Sequence, residues 1–266
     1  MILVTGAGGF VGQKIMGCRK DVIACKSLKN LSEDEVKRIV YESGADTIIH
    51  TAAISDIGVC EANPVSSYIA NVQLPVFLAK AAKNLKLICF SSDQVYSGAT
   101  ECGPYTEDMA NPANTYAKHK LEMENRVLDI LPDAVMLRAE WMYDYYLKKP
   151  NYLMNILNAD KSLTFSSRQF RGITYLKEVA ENIEKVITLP GGAYNFGSET
   201  DKSMYQITKD FLTLIGKDIE LWDCEPRHNL WMNCEKAKKQ GVIFSEVSDA
   251  LKKCAEDYNL IPRVLK

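Results

Sequence analysis

The chain is poor in the residues that build metal centres. It has only three histidines, His50, His119 and His228, and none stands at ligand spacing to a cysteine. No metal is expected. Cys-x-x-Cys pairs are missing too, although eight cysteines are spread along the 266 residues. Several sit inside apolar runs such as LICF at 87–90. In a chain this long they read as buried free thiols of a reducing, cytoplasmic compartment, not as a disulfide framework. An excess of either charge is also lacking, since 32 Lys plus Arg face 34 Asp plus Glu, a formal net charge of -2. That balance gives no electrostatic reason to expect nucleic acid as a partner. No apolar run approaches the roughly 20 residues that a bilayer crossing requires. The N-terminal MILVTGAGGF has no basic n-region and no long apolar core, so no signal peptide is expected. Internal repeats and low-complexity segments are absent as well.

What remains is ordinary globular material. Hydrophobic residues make up 47% and charged residues 25%, enough to build a large core in one large domain, or one with a small second lobe. Short apolar strands are expected at 2–5, 21–25, 46–50, 86–91 and 134–138. Helices are expected at 10–18, from Ser32 to about Ser43–Gly44, at 64–84 and at 115–131. Ser32 with Glu35 makes a capping box, and Pro64 is a good first helical residue. Strands apolar on both faces, alternating with helices, mean a parallel sheet covered on both sides. The expected fold is therefore α/β, a Rossmann-type doubly wound parallel sheet. After Arg138 the rhythm loosens. A helix is expected at 150–159, an irregular stretch to Gly172, a helix at 175–188 and a strand at 193–196. Helices at 203–215, 233–240 and 245–257 finish the chain. Residues 1–144 thus read as the nucleotide-binding domain and 145–266 mostly as a smaller substrate-binding lobe, with 172–197 returning to the first domain.

Gly6, Gly9 and Gly12 stand at Gly-x-x-Gly-x-x-Gly spacing, directly after the first strand and at the mouth of the first helix. The turn must be tight, the backbone must approach a pyrophosphate, and the helix must pack near the strand. The helix N-terminus then aims free N–H groups at the phosphates. An NAD enzyme would carry an acid at the end of the second strand. Residues 24–28 read Ala-Cys-Lys-Ser-Leu instead. Lys26 and Ser27 suit a 2'-phosphate, so NADP(H) is expected over NAD(H).

Tyr116 and Lys120 stand four apart, on one face of the helix expected at 115–131. Upstream, the fourth strand ends in Phe90-Ser91-Ser92-Asp93, placing hydroxyls at the carboxyl edge where open α/β sheets bind ligands. A neighbouring ammonium favours the phenolate and is expected to lower the tyrosine pKa from near 10. Tyr116 could then exchange a proton with a carbonyl or hydroxyl, and Ser92 could hold the same oxygen. Asn71 reads as a buried tie from helix to strand. His119 reads as a surface residue, and Glu122 to Glu124 as a solvated helix face.

With these residues in place, the chain resembles the extended short-chain dehydrogenases/reductases, and most of all the dTDP-4-dehydrorhamnose reductase group. The segments that carry the resemblance are GAGGFVG at 6–12, TAAISDIGVCEANP at 51–64, SSDQVYSG at 91–98 and PYTEDMANPANTYAKHKLEMEN at 104–125. LRAEWMY at 137–143, RQFRGIT at 168–174 and HNLWMNCEK at 228–236 continue it. The resemblance implies that the loop of Gly6, Gly9, Phe10, Val11 and Gly12, with Ala52 and Ala53, cradles the cofactor. It makes Ser92 the hydroxyl partner, Tyr116 the acid and Lys120 its tuner. It puts Ser55, Ile57, Asp93 and Trp141 beside the sugar. Arg168 and Arg171 lie in a loop where a nucleotide diphosphate could pass, and a guanidinium suits phosphate.

The departures fall on the substrate side. The chain has Thr51 where the family has Asn, and Ser92-Asp93-Gln94 where it has Thr-Asp-Tyr. It has Ala139-Glu140-Trp141 for Thr-Ser-Trp, and residues 168–174 for Asp-Gln-x-Gly-x-Pro-Thr. Pro226-Arg227 reverses an Arg-Pro pair. The implied activity is NADP-dependent reduction of a nucleotide-linked 4-keto-sugar. Two rivals stay open, a nucleotide-sugar epimerase or dehydratase on the same scaffold, and a non-catalytic regulatory subunit resembling the methionine adenosyltransferase β subunit. The expected partner is a nucleotide-sugar substrate, with no nucleic acid, no membrane, and room for a homodimer.

Overall fold

Short strands that are apolar on both faces need cover on both sides, and this chain supplies it. The computed structural model describes residues 1–146, 150–225 and 228–262, so Pro226 and Arg227 lie outside the described residues. The strands in chain order are β1 (Ile2–Thr5), β2 (Val22–Ala24), β3 (Thr47–His50), β4 (Lys86–Ser92), β5 (Val135–Ala139), β6 (Trp141–Tyr143), β7 (Ser162–Phe165), β8 (Ile173–Tyr175), β9 (Gly192–Phe196) and β10 (Glu220–Asp223). The helices are α1 (Phe10–Cys18), α2 (Glu33–Ser43), α3 (Ile57–Ala62), α4 (Pro64–Tyr68), α5 (Leu74–Ala81), α6 (Thr115–Ile130), α7 (Tyr152–Asn158), α8 (Leu176–Glu181), α9 (Ile183–Ile187), α10 (Met204–Leu214), α11 (Glu235–Lys238) and α12 (Val247–Asp257).

Six strands form one parallel sheet in the order β2-β1-β3-β4-β5-β9. The order reverses between β1 and β3, the switch point at which such sheets open a crevice at their carboxyl edge. Side chains alternate across the sheet. Ile2, Val4, Ile49, Ile88 and Leu137 face α1, α8 and α9, while Leu3, Ile48, Leu87 and Met136 face α2, α5 and α6. The capping box forms as expected, Ser32 and Glu35 each bonding the other's backbone N–H, and Gly44 ends α2 at φ 62°.

The expected helix over 64–84 is interrupted. A π turn at Ile69–Gln73 separates α4 from α5. Pro75 has no N–H to offer the carbonyl four residues back, at Asn71, and its ring would crowd that carbonyl. Asn71 itself is wholly buried. Its side chain accepts from Ile54 N (3.1 Å) and donates to Ile54 O (2.9 Å), tying the turn to the segment after β3. The expected 175–188 helix is likewise divided, at Asn182. The stretch expected to be irregular up to Gly172 contains β7, which pairs in parallel with β10. β6 and β8 make another short parallel pair.

Those pairs, with α7, α10 and α12, enclose a separate core of Tyr143, Tyr152, Tyr175, Phe211 and Leu251. All eight cysteines are free. Four of them, Cys60, Cys89, Cys234 and Cys254, are buried as expected, whereas Cys18 and Cys102 are exposed. Among the described residues, no helix is long and apolar enough to cross a membrane.

Candidate active site

The carboxyl edge of β4 carries the chemistry. Ser92 ends the strand, and its hydroxyl caps a 3-10 turn, Asp93–Tyr96, by accepting from Gln94 N at 3.2 Å. Asn114 caps α6 through Ala117 N at 2.8 Å, which sets the helix phase and turns both Tyr116 and Lys120 inward. The Tyr116 phenol and the Ser92 hydroxyl face each other. Lys120 donates to the Phe90 carbonyl at 2.8 Å, and its ammonium lies 5.8 Å from the centre of the Tyr116 ring. The structure therefore brings Ser92, Tyr116 and Lys120 together, all buried.

The expectation for Tyr116 acidity needs correction. Burial pushes its phenol above the usual tyrosine value, and the neighbouring Ser92 hydroxyl offsets this only in part. The nearby Asp93 carboxylate pushes the same way as burial. The effect of burial falls instead on Lys120, whose ammonium is pushed down to about 8. His50, below it at the end of β3, is pushed down to about 3, first by burial and then by the Lys120 charge. Its Nδ1 lies 2.6 Å from Thr5 Oγ1.

The glycine loop fits a dinucleotide. Gly6 has φ 72°, and a Cβ there would meet Ala52 N at 2.6 Å. A Cβ on Gly12 would meet the Gly6 carbonyl at 2.3 Å. Around Gly8, by contrast, a Cβ would meet nothing within 4 Å. The turn is closed on the protein side and open outward, and no side chain caps the first turn of α1. Phe10 and Val11 begin that helix, half-buried. Ala52 is half-buried and Ala53 exposed beside it. Lys26 and Ser27 are exposed just past β2.

The expected substrate residues divide. Asp93 is buried and accepts from Arg171 Nη2 at 2.6 Å, and the Arg171 guanidinium lies 5.6 Å from the centre of the Trp141 ring. Burial raises the Asp93 carboxyl above its usual range, and Arg171 counters this in part. Arg168 is not brought into this cluster, since it is exposed and pairs with Glu225. Ser55 is exposed, and Ile57 opens α3 half-buried.

Three residues were misjudged or missed in the sequence reading. Glu124, expected on a solvated face, is buried and bonded by Arg138 through Nε at 3.1 Å and Nη2 at 2.8 Å. His119, expected at the surface, is half-buried and lies 2.8 Å from Ser67 Oγ. Glu140 had no assigned role. Its carboxyl is buried against Gly172 and Gly197, where any Cβ would come within 2.2 Å of it. Thr174 Oγ1 donates to it at 2.8 Å, and burial pushes it up to about 8. The one available signal was a carboxylate placed directly after a mostly apolar strand.

A doubly wound sheet with a glycine loop at β1, a serine at the tip of β4 and a Tyr-x-x-x-Lys pair on α6 defines an extended short-chain dehydrogenase/reductase. The chain belongs to the family described as the RmlD substrate binding domain, whose model matches residues 1–256. A dTDP-4-dehydrorhamnose reductase of Aggregatibacter actinomycetemcomitans is 30% identical over 224 residues, covering 77% of this chain and 75% of that one. The methionine adenosyltransferase 2 subunit beta of Xenopus laevis is 29% identical over 276 residues, covering 90% and 82%. Among solved structures, a dTDP-4-dehydrorhamnose reductase from Clostridium acetobutylicum superposes with a TM-score of 0.86 at 24% identity, covering 97% of this chain and 99% of that one.

Proposed function

We propose that this protein is an NADP-dependent reductase of a nucleotide-linked 4-keto-sugar, of the dTDP-4-dehydrorhamnose reductase type. One observation carries the reading: Ser92, Tyr116 and Lys120 are buried together, with Lys120 bonded to the Phe90 carbonyl, on the same sheet edge as the glycine loop. The dinucleotide supplies the hydride. Gly6, Gly9, Phe10, Val11 and Gly12 hold its pyrophosphate, with Ala52 and Ala53 alongside. Tyr116 gives its proton to the keto oxygen, and Ser92 orients that oxygen. Lys120 holds the nicotinamide ribose, and its charge favours the phenolate left behind.

Lys26 and Ser27 support NADP over NAD, because no acid stands at the end of β2. Asp93, Trp141 and Arg171 face the sugar in this reading, with Ser55 and Ile57 at its rim, and Arg168 takes a peripheral place. Residues 1–144, with 172–197, serve the cofactor, and the rest of 145–266 serves the substrate. The near-neutral charge and the free thiols support a cytoplasmic enzyme that does not bind nucleic acid, and a homodimer is the assembly to test first.

The similarity to the Xenopus laevis subunit favours a second reading, a non-catalytic partner-binding subunit. NADPH oxidation measured against a panel of nucleotide 4-keto-sugars, beginning with dTDP-4-dehydrorhamnose, separates the two. Stoichiometric oxidation supports the reductase. No oxidation with any member, together with capture of a stoichiometric protein partner, supports the subunit. An epimerase would convert its sugar while leaving the cofactor state unchanged.

A further inference from the structure

A continuous polar chain runs from the substrate loop into the catalytic pair. Arg171 Nη2 donates to Asp93 Oδ2 at 2.6 Å. The Ser92 hydroxyl donates to Asp93 Oδ1 at 3.1 Å, and Ser92 faces the Tyr116 hydroxyl on its other side. Ser92, Asp93 and Tyr116 are all buried, and only 14% of the Arg171 side chain is exposed. We propose that Arg171 is a positioning residue for the proton-transfer pair, acting through Asp93 to set the direction in which the Ser92 hydroxyl points its hydrogen. The inference rests on the reductase reading of the same site.

The chemistry follows from donor and acceptor counts. An ionised carboxylate only accepts, so ionised Asp93 makes Ser92 the donor between them. The Ser92 lone pairs are then left for the Tyr116 hydroxyl. When a keto oxygen arrives, the Ser92 hydrogen must swing from Asp93 to that oxygen. Arg171 makes the swing cheap, because it compensates the Asp93 charge after Ser92 lets go. Without a cation, the buried carboxyl takes up a proton and becomes a donor itself, which removes the acceptor that orients Ser92. The charged and titratable groups facing Asp93 are Arg171 from the substrate loop, His228, Tyr116 from α6 and Glu140 after β5. Arg171 makes an ion pair with it at 2.6 Å, and the His228 charge acts on it in the same direction. The guanidinium is held over Trp141 and its Nε is buried with no partner, so Asp93 is its ion-pair partner.

The test compares wild type, Arg171→Met, Arg171→Lys and Asp93→Asn in two measurements. The first is steady-state reduction, from pH 6 to 8, of the nucleotide 4-keto-sugar that the wild type accepts. Arg171→Met is expected to lower kcat about tenfold or more, change KM less than threefold and leave NADPH affinity unchanged. Its kcat is expected to rise with pH across that range as Asp93 ionises, where the wild type stays flat. Arg171→Lys is expected to restore the flat profile, and Asp93→Asn to lose kcat without acquiring a pH slope. A loss confined to KM, or a wild-type profile in Arg171→Met, overturns the proposal. The second measurement needs no turnover. The titration of Asp93 is followed by carboxyl carbon NMR, its resonance assigned with Asp93→Asn. Arg171→Met is expected to move it up by at least one pH unit. If no panel sugar is reduced, the reductase reading fails and this second measurement decides alone, with an unmoved Asp93 titration contradicting the proposal. If Arg171→Met does not fold, Arg171→Gln takes its place in both measurements, with the same expected and overturning results.

Discussion

A phenol enclosed as Tyr116 is holds its proton more tightly than a free tyrosine, and an ammonium enclosed as Lys120 is holds its proton less tightly. Tyr116 therefore stays a proton donor through neutral pH, and Lys120 sets the alkaline limit. In the free enzyme, kcat/KM for the keto-sugar is expected to fall as pH rises past about 8, where Lys120 loses its charge. A rate unchanged up to pH 9.5 would contradict this assignment. Glu140 makes a prediction that needs no substrate. Its carboxyl titrates at about 8 in the folded chain against an ordinary value of 4.5, so between those limits the native state binds more protons than the unfolded one. Stability is expected to drop as pH rises through that window, by up to about 1.4 kcal/mol per pH unit from this group. Glu140→Gln cannot titrate, so its urea midpoint is expected to fall less between pH 5 and pH 8 than that of the wild type. An equal fall would mean that Glu140 is ionised throughout. At the cofactor end, Lys26→Ala is expected to weaken NADPH by roughly tenfold or more while sparing NADH, the scale of a charge-assisted hydrogen bond. Titration calorimetry giving equal affinities before and after the change would sink the NADP assignment. Ser92, Tyr116 and Lys120 were legible because local spacing fixes which way they face. Arg171 with Asp93 and Glu140 with Gly172 and Gly197 were not, because each contact joins residues more than 30 positions apart.

At the scale of elements, β1 to β5 and the helices α1, α2 and α6 were readable because strands buried on both faces, as all of these but β2 are, have no polar alternation to confuse them, whereas the short α3 was not expected. The failures have local causes. Helix propensity runs unbroken across 64–84, yet Pro75 withholds one backbone donor and Asn71 binds the backbone at Ile54 instead of lying idle in a helix. The strands β6, β7, β8 and β10 are three or four residues long, too short to show a period. Glu124 looked solvated because its partner, Arg138, comes from β5 across the α6 interface. Asn71→Ala removes a donor and an acceptor together, and leaves the Ile54 N–H without its partner and the Ile54 carbonyl with the weaker Cys60 Sγ donor at 3.4 Å. It is expected to lower stability by about 1–3 kcal/mol in chemical denaturation. An effect below half a kcal/mol would mean that the π turn stands without its tie. Gly12→Ala would drive a methyl into the Gly6 carbonyl, and is expected to abolish NADPH binding while leaving the far lobe folded. Retained binding in a fluorescence titration would show that the loop yields, and its role as a rigid cradle would be withdrawn.

Across the whole molecule, two cores meet at the carboxyl edge of the sheet. Along this segment Ala139 and Met142 pack into the sheet core, whereas Trp141 and Tyr143 pack into the second core. Trp141 thus stands at the junction, edge-on to Tyr152 of the second core and beneath Arg171. Trp141→Ala is expected to raise KM for the sugar nucleotide or lower kcat with NADPH affinity intact. Loss of NADPH binding or gross unfolding would make it a core residue instead. The central claim is that Tyr116 delivers the proton in an NADPH-consuming reduction. The measurement that tests it most directly is NADPH oxidation by wild type and Tyr116→Phe with a nucleotide 4-keto-sugar under single-turnover conditions. The phenylalanine keeps the ring and its packing and removes only the hydroxyl. The account predicts stoichiometric oxidation by the wild type and a rate about 10²–10⁴-fold lower in the variant, at equal NADPH affinity. Equal rates in the two proteins, or no oxidation by the wild type with any such sugar, would contradict it.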